Sequence, residues 1–118
     1  MTVQELEARM KDWLATDYRA VLFIRESEVV AYALYRPEGT SAYLRQFFVS
    51  QGHRRSGIGT KAVQILLGGV LDAFDRVYLD VLTNNASARA FWRAVGFQDY
   101  AVTMEILRSP AVLCSGTS

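Results

Sequence analysis

The sequence predicts an α/β domain with a single mixed β-sheet that is flanked by helices on both faces. Apolar residues recur at helical spacing in some segments and at strand spacing in others, in the order α-β-β-β-α-β-α-β. A short polar break, Glu26-Ser27-Glu28, joins the first two strand-like segments and indicates an antiparallel hairpin. The later strand–helix–strand unit, residues 42–82, is typical of a right-handed parallel crossover. Together these observations predict antiparallel and parallel neighbours within one sheet.

Length and composition limit the possible classes of protein. The 118 residues suffice for one domain, which we expect at residues 1–108, followed by a poorly ordered tail of small residues at 109–118. Hydrophobic residues make up 51% of the chain, which excludes intrinsic disorder for most of it. A net charge of +1 argues against binding to nucleic acid or to anionic membranes. A single cysteine and a single histidine leave no disulfide and no metal-ligand cluster.

No apolar run is long enough to cross a bilayer, and the N-terminal residues are too acidic for a signal peptide. We therefore expect a cytoplasmic protein.

The first half of the chain predicts one helix and three strands. Thr2 and Glu5 form a capping-box pattern, which marks the start of an amphipathic helix that runs to about Ala15. The segment Pro37-Glu38-Gly39-Thr40 is the clearest turn in the sequence. The three strands are predicted at Ala20–Arg25, Val29–Arg36 and Ala42–Val49.

The second half alternates helices and strands. A helix is predicted from Ile58 to about Phe74, although the pair Gly68-Gly69 weakens it and can mark an early end. A strand follows at Arg76–Leu82. Asn85 is placed to cap the next helix, which ends at about Val95 before Gly96. The last strand is predicted at Tyr100–Leu107.

The loop Arg54-Arg55-Ser56-Gly57-Ile58-Gly59-Thr60 is the most informative stretch for function. It follows a strand and opens a helix, where backbone N–H groups lack partners and the helix dipole attracts anions. Gly57 and Gly59 leave room for a phosphate to approach this backbone, and the two arginines add charged donors. These features favour a pyrophosphate site. A tight turn with solvated arginines is the alternative, because short glycine motifs often occur without a ligand.

A second motif lies downstream, at Asn85 to Phe97. By itself it indicates only a residue that caps a helix, aromatic residues of the core and a glycine that ends the helix. The two motifs together, R-x-x-G-x-G at Arg54–Gly59 and N-x-x-A-x-x-F-W-x-x-x-G-F at Asn85–Phe97, resemble the two signatures of the GNAT family of N-acetyltransferases. Their order and spacing match those of the family. The resemblance covers about residues 21–107.

The resemblance implies a binding site for acetyl-CoA. Strand residues Phe48 and Val49 would present their backbone to the pantetheine arm, where the strands at 42–49 and 76–82 splay apart. Asn85 would contact the pantetheine or cap the last helix, and Phe91 and Trp92 would flank the CoA. The pyrophosphate would be held by Arg54 and by the backbone amides of Arg55, Ser56, Gly57, Ile58, Gly59 and Thr60.

The resemblance also implies direct attack of a primary amine on the thioester in a ternary complex. The N–H of Val49 would polarise the carbonyl oxygen. Asp80 is the first candidate for the general base, with a hydrogen-bonded structural carboxylate as its alternative. Glu38 and Tyr43 are weaker candidates.

Trp92 stands where the family often has a tyrosine that protonates the thiolate. An indole is a poor acid, so either the thiolate leaves unaided or Tyr78 or Tyr100 is the donor.

Two other functions remain open from the sequence. A non-catalytic acyl-CoA-binding module would fit Trp92, and a fold used only for association would bind no CoA. We expect the chain to lack the family's usual first strand and helix, which would leave a sheet edge uncovered and a homodimer to cover it. The amine acceptor is not specified by any motif.

Overall fold

The computed structural model describes residues 2–54 and 57–108, and it confirms the predicted fold class. The described chain forms a mixed four-stranded sheet with helices on both faces. Its elements are α1 (Val3–Leu14), β1 (Arg19–Arg25), β2 (Glu28–Glu38), β3 (Ser41–Val49), a single 3-10 turn (Gln51–His53), α2 (Ile58–Gly68), β4 (Arg76–Tyr78) and α3 (Ala86–Ala94). None of the helices in these residues is long and apolar enough to span a membrane.

Helix α1 begins where the capping pattern predicts. The backbone N–H of Glu5 donates to Thr2 Oγ1 at 3.1 Å, and the Thr2 hydroxyl donates to Glu5 Oε1 at 3.0 Å. A residue that caps the first turn satisfies an N–H group that would otherwise lack a partner. The sequence therefore fixes this end of the helix locally.

The strands lie in the order β1-β2-β3-β4. β1 and β2 are antiparallel, as predicted, and Glu26 and Ser27 between them both have positive φ. β2 runs through Pro37 and Glu38, which the sequence assigned to a turn, because the reversal needs only the residues around Gly39 (φ +62°). β3 pairs antiparallel with β2, and the register skips Arg45 in a β-bulge.

Each face of the sheet has its own core, and alternate residues of β2 supply both. Leu34 faces α1, whereas Ala33 and Tyr35 face α2. The α1 core contains Leu6, Met10, Tyr18, Val29 and Leu34, and the α2 core contains Ala33, Tyr35, Ala42, Leu44, Leu66 and Leu71.

Two elements are shorter than the sequence predicts. Helix α2 ends at Gly68, so the glycine pair does mark an early end; a Cβ on Gly69 would lie 2.9 Å from the Ile65 carbonyl oxygen. Strand β4 pairs parallel with β3 but ends at Tyr78, four residues before the predicted end at Leu82. Beyond Tyr78 the chain leaves β3, and this divergence creates the site described below.

The predicted last strand at Tyr100–Leu107 is wrong for the described chain. These residues form no strand, and their side chains are exposed. A strand needs a neighbouring strand to accept its hydrogen bonds. None of the described strands pairs with this segment. The predicted tail at 109–118 lies outside the described residues.

Candidate active site

A gap opens between β3 and the chain that follows β4. The two strands pair only at Ser41–Tyr43 with Arg76–Tyr78, and the remainder of β3 has no β4 partner. The gap forms a cavity of about 390 Å³ that is open to solvent. Its lining comes from β2, β3, the segment after β4, and α3: Tyr32, Leu44, Arg45, Gln46, Phe47, Phe48, Leu79, Asp80, Val81, Leu82, Asn85, Ala88 and Trp92.

The register of β2 and β3 decides which backbone groups face this gap. The Ser50 N–H donates to the Val30 carbonyl at 2.8 Å, so these residues form a hydrogen-bonded pair. Such pairs alternate with non-hydrogen-bonded pairs along an antiparallel ladder. The next pair, Val49 with Ala31, is therefore non-hydrogen-bonded. Hence the N–H and C=O of Val49 point away from β2 and into the gap.

By the same alternation, Phe48 directs its backbone toward Tyr32 of β2, and Phe47 directs its backbone toward the gap. The sequence named Phe48 together with Val49 as the residues that present backbone. The structure instead assigns this geometry to Phe47 and Val49. Sequence reasoning missed Phe47 because the β-bulge at Arg45 shifts the alternation, and no local signal marks that bulge.

Arg54 lies over the end of β3. Its Nε donates to the Val49 carbonyl oxygen at 3.0 Å, and its guanidinium carbon lies 5.2 Å from the centroid of the Phe48 ring. This contact satisfies the carbonyl of Val49 and leaves the Val49 N–H as the group that faces the gap.

The first backbone amides of α2 have no intrahelical partner. The Lys61 N–H donates to the Gly57 carbonyl at 3.1 Å, so the amides of Ile58, Gly59 and Thr60 precede the first intrahelical bond. Gly57, the residue before the helix, has φ +82°, which a side chain rarely tolerates. Arg55 and Ser56, which the sequence also assigned to this loop, lie outside the described residues.

Gly59 connects the helix start to β3 and α3. A Cβ on Gly59 would lie 3.5 Å from Val49 Cγ2 and 3.5 Å from Phe91 Cε1. The Phe91 ring in turn stacks on Phe47 with centroids 6.2 Å apart. The α2 amides, the end of β3 and the aromatic face of α3 therefore meet at one place.

Asp80 lines the gap and is held by a tyrosine. The Tyr43 hydroxyl donates to Asp80 Oδ2 at 3.0 Å. Burial, together with this hydrogen bond, raises the pKa of the Tyr43 hydroxyl, so the tyrosine stays protonated and keeps donating. The carboxylate is exposed to the solvent of the cavity, where a proton can reach it.

Charged and aromatic side chains pack around the Tyr43 ring. Its ring lies 5.1 Å from the Tyr78 ring and 5.5 Å from the Arg36 guanidinium. Arg36 forms an ion pair with Glu38, and the Tyr78 hydroxyl donates to Glu38 at 2.5 Å. The hydrogen bond from Tyr78 and the contact with Arg36 lower the pKa of Glu38. Glu38, Tyr43 and Tyr78 thus have structural partners that the sequence did not indicate.

Helix α3 contributes packing and a cap to the site. The Asn85 side chain accepts from the Ala88 N–H at 3.2 Å, so it caps the helix, which was one of its two predicted roles. Trp92 lines the gap with one edge and packs its ring against Phe47, Phe91 and Phe97 at 5.0–5.6 Å. Its indole is part of an aromatic cluster, which explains a bulky residue there.

Most of the predicted site residues come together, and Tyr100 does not. Phe48, Asp80, Asn85 and Trp92 line the cavity. Val49 lies outside that lining and packs beside Gly59 at the start of α2. Tyr100 is 83% exposed and lies outside the cavity lining, with its ring 4.8 Å from the Arg76 guanidinium. Tyr78 donates to Glu38 and also lies outside that lining.

This geometry fits a particular kind of ligand. Amides at a helix start bind a phosphate or pyrophosphate. A strand edge that faces a gap binds an extended chain through backbone hydrogen bonds. A backbone N–H that faces the gap can polarise a carbonyl, and a carboxylate that lines the cavity can accept a proton from a nucleophile. Among the residues that the structure describes, no group of three or more histidine, cysteine or acidic side chains could hold a metal ion.

Comparisons with solved structures show a shared fold. The chain matches YycN from Bacillus subtilis with a TM-score of 0.70 at 19% identity, over 90% of this chain and 72% of that one. It matches the aminoglycoside 6'-N-acetyltransferase AAC(6')-IG from Acinetobacter haemolyticus with a TM-score of 0.63 at 19% identity, over 90% and 81%. It matches the aminoglycoside N-acetyltransferase AAC(6')-Iy, solved with CoA, with a TM-score of 0.63 at 13% identity, over 91% and 89%.

A comparison with curated sequences gave no significant match. The model of the acetyltransferase (GNAT) family, however, matches residues 2–97, which is most of the chain. The likeness in fold and this match agree with the two sequence motifs. The chain therefore belongs to the GNAT acetyltransferase family.

Proposed function

We propose that this protein is an acetyl-CoA-dependent N-acetyltransferase that acts on a primary amine. The observation that carries the proposal is the Val49 N–H, which points into the gap beside the amide groups that open α2. Membership of the GNAT family and the CoA complex of AAC(6')-Iy support acetyl-CoA as the co-substrate. In the reaction a C–N bond forms to the acetyl carbonyl carbon as the C–S bond of the thioester breaks.

The residues at the start of α2 bind the pyrophosphate in this proposal. The amides of Ile58, Gly59 and Thr60 donate to phosphate oxygens, and the dipole of the helix adds partial positive charge. Gly59 has no Cβ, so the start of α2 packs closely against the Val49 and Phe91 side chains. Lys61 follows directly in sequence and adds a cation near the same turn.

Val49 and Asp80 perform the chemistry. The Val49 N–H donates to the carbonyl oxygen, where negative charge develops as the amine attacks. Asp80 accepts a proton from the amine, directly or through a water molecule, and Tyr43 holds the carboxylate toward the gap. The departing thiolate takes its proton from solvent, because the Trp92 indole is no acid and Tyr100 lies outside the cavity lining.

A non-catalytic acyl-CoA-binding module is the second candidate. The observation that favours it is Trp92, whose ring packs among Phe47, Phe91 and Phe97 in place of an acidic group. Both candidates bind acetyl-CoA, and only the first consumes it.

Two measurements on the same purified protein test the proposal. Calorimetric titration with acetyl-CoA should give micromolar binding, and thiol release should then rise when primary amines of several classes are added (small amines, aminoglycosides and peptides). Binding without thiol release across these classes would support the non-catalytic module. A folded protein that does not bind acetyl-CoA would contradict both candidates.

A further inference from the structure

Two opposite charges flank the gap where β3 and the chain after β4 begin to diverge. Tyr43 and Tyr78 form the last pair of the two strands. Arg45 follows Tyr43 by two residues, and Asp80 follows Tyr78 by two residues. Paired strands lie about 4.8 Å apart, and two residues advance a strand by about 7 Å. Arg45 and Asp80 therefore lie on opposite sides of the gap near its narrow end, and both line the cavity.

Both charged groups lie toward the face of the sheet that carries α1. The Arg45 guanidinium carbon is 5.7 Å from the centroid of the Tyr18 ring, and Tyr18 belongs to the α1 core. Tyr43, which also packs against that core, donates to Asp80. Burial raises the pKa of the Tyr43 hydroxyl, and the nearby charge of Arg45 opposes that rise. Helix α2 packs on the other face, so its amides and these two charges approach the gap from different sides.

The two charges of the cavity lining balance each other. Among the described residues that line the cavity, the charged ones are Arg45 and Asp80. A polycationic acceptor would bring several ammonium groups close to the guanidinium, with one carboxylate to offset them. An acceptor with one ammonium and one carboxylate close together meets an opposite charge on each side of the gap. A guanidinium has five N–H donors, so it can bind a carboxylate in addition to the contacts that it already makes.

An aromatic surface lies beside the two charges. The Tyr32 and Phe48 rings stack with centroids 5.3 Å apart, and the Tyr32 hydroxyl donates to Gln46 Oε1 at 3.4 Å. All three side chains line the cavity. The cavity measures about 390 Å³ and also takes the acetyl end of CoA in the proposed function, so the remaining room fits a small acceptor. An apolar side chain on that acceptor can pack against the two rings.

We propose that the acceptor is a free α-amino acid with an apolar side chain, and that Arg45 determines this specificity by binding its carboxylate. Asp80 faces the amine and accepts its proton, and the side chain of the amino acid lies on the rings of Tyr32 and Phe48. The inference rests on the proposed function, because it names the amine that the reaction consumes. The amine loses one proton as the C–N bond forms, and the thiolate of CoA gains one as the C–S bond breaks.

L-Phenylalanine and L-phenylalaninamide form a matched pair of acceptors, because they differ in the charge of the carboxyl group. Thiol release should give a kcat/KM about thirtyfold higher for the acid, which is the size expected for a hydrogen-bonded charge pair. The amide has the more acidic ammonium group, so the reactivity of the amine alone would favour the amide. Kanamycin, a polycation, should be a poorer acceptor than phenylalanine. Equal or better turnover of the amide or of kanamycin would overturn the inference and leave the proposed function intact.

Substitution of Arg45 tests its role directly. Arg45→Gln should raise the KM for phenylalanine about thirtyfold. It should leave the KM for the amide and the affinity for acetyl-CoA unchanged, and Arg45→Lys, which keeps the charge, should recover most of the loss. Arg45 is exposed, so circular dichroism should show both variants folded. Arg25→Gln is the matched control, since it removes the same charge from an exposed arginine at the end of β1 that does not line the cavity. An Arg45→Gln variant with the wild-type KM for phenylalanine would overturn the inference.

Calorimetry separates failure of the inference from failure of the proposed function. Phenylalanine should bind the CoA-saturated wild-type protein and bind Arg45→Gln much more weakly. Binding of phenylalanine without thiol release from acetyl-CoA would contradict the enzyme and support the amino-acid site. Turnover of other amines by a protein that does not bind phenylalanine would overturn the inference alone. Neither binding nor turnover of any amine would overturn both.

Discussion

The two edges of β3 differ, and the difference accounts for the site. Along one edge β3 is paired with β2 from Ser41 to Val49, with a single bulge. Along the other edge it is paired with β4 only from Ser41 to Tyr43. The paired edge joins the two hydrophobic cores through alternate residues of β2, whereas the open edge leaves the Val49 N–H toward solvent. Stability and binding are thus assigned to opposite edges of one strand.

The same contrast separates the polar groups. Arg36, Glu38 and Tyr78 satisfy one another beside the paired part of β4. Asp80, two residues farther on, has left the sheet and accepts a hydrogen bond from Tyr43. A carboxylate held on one side and open on the other can exchange a proton, which is what the proposed reaction requires of it. Substitutions on the two sides should therefore have different consequences.

The largest effect should come from the paired side. Leu34 of β2 is fully buried against α1, so Leu34→Ala should lower the free energy of unfolding by about 3 kcal/mol through the cavity that it leaves. Urea denaturation measures the loss. Ile24→Ala on the neighbouring strand is the control, since Ile24 is 56% exposed and should cost far less. Equal losses for the two variants would contradict the assignment of the core.

Next in size is the effect of a negative charge at the start of α2. Thr60 is exposed in the first turn, where a carboxylate favours the helix, so Thr60→Glu should fold normally. The charge should repel the pyrophosphate and weaken acetyl-CoA binding about a hundredfold, an energy of about 2.7 kcal/mol that is consistent with losing a charge-assisted contact. Thr60→Gln, of the same shape without charge, should bind within a few-fold of wild type. Unchanged binding by Thr60→Glu in calorimetry would place the pyrophosphate elsewhere.

An effect of similar size, on turnover instead of binding, is expected at the carboxylate on the open side. Asp80→Asn should lower kcat about a hundredfold, which is the lower range for loss of a general base. Tyr43→Phe should lower kcat less, by about fivefold, because it releases the carboxylate without removing it. Both should bind acetyl-CoA as tightly as wild type. Full activity in Asp80→Asn would show that Asp80 is a structural carboxylate.

Two glycines at the ends of α2 should respond with opposite signs. Gly57 has φ +82°, so Gly57→Ala should cost about 1 kcal/mol of stability even though no atom lies within 4 Å of the added Cβ. Gly68 is the last residue of α2, does not have a positive φ, and has open space where a Cβ would lie. Gly68→Ala should therefore raise the free energy of unfolding by up to about 1 kcal/mol. Thermal unfolding of the two variants measures both effects. Destabilisation by Gly68→Ala would mean that the helix end is wrongly assigned.

The smallest effect concerns acid. The hydrogen bond from Tyr78 and the ion pair with Arg36 lower the pKa of Glu38 below its ordinary 4.5. Its contribution to stability is therefore fully present above pH 4.5 and is lost as the pH falls through the lowered value. The urea midpoint of Glu38→Gln should fall less than that of wild type over this acidic range. Glu105→Gln, which removes an exposed carboxylate from the C-terminal segment, should follow the wild-type curve.

Local signals in the sequence predicted much of this structure. The Thr2–Glu5 cap, the Asn85 cap and Gly96 (φ +113°) act within one helical turn, and each is where its motif places it. The two motifs also located the start of α2 and the aromatic face of α3. These features depend on residues that are close in sequence, so a single chain is enough to find them.

Features that depend on distant residues were not predicted. The bulge at Arg45 is set by its partner strand, and it changes which of Phe47 and Phe48 faces the gap. A segment forms a strand only where it pairs with a neighbouring strand. The lack of such pairing explains both the early end of β4 at Tyr78 and the missing strand at 100–107. The bond from Tyr43 to Asp80 spans 37 residues and has no local signal. Pairing across the sheet, rather than propensity, decided each case.

In the proposed function, the open edge of β3 binds the acyl-CoA. Amide hydrogen exchange, followed by NMR with and without acetyl-CoA, tests it most directly at Phe48 and Val49. The Phe48 amide should exchange slowly in both states because it faces Tyr32 in the sheet. The Val49 amide should exchange rapidly alone and slow markedly when acetyl-CoA is bound. A Val49 amide that stays rapid while acetyl-CoA is bound, or that is already slow without it, would contradict the account.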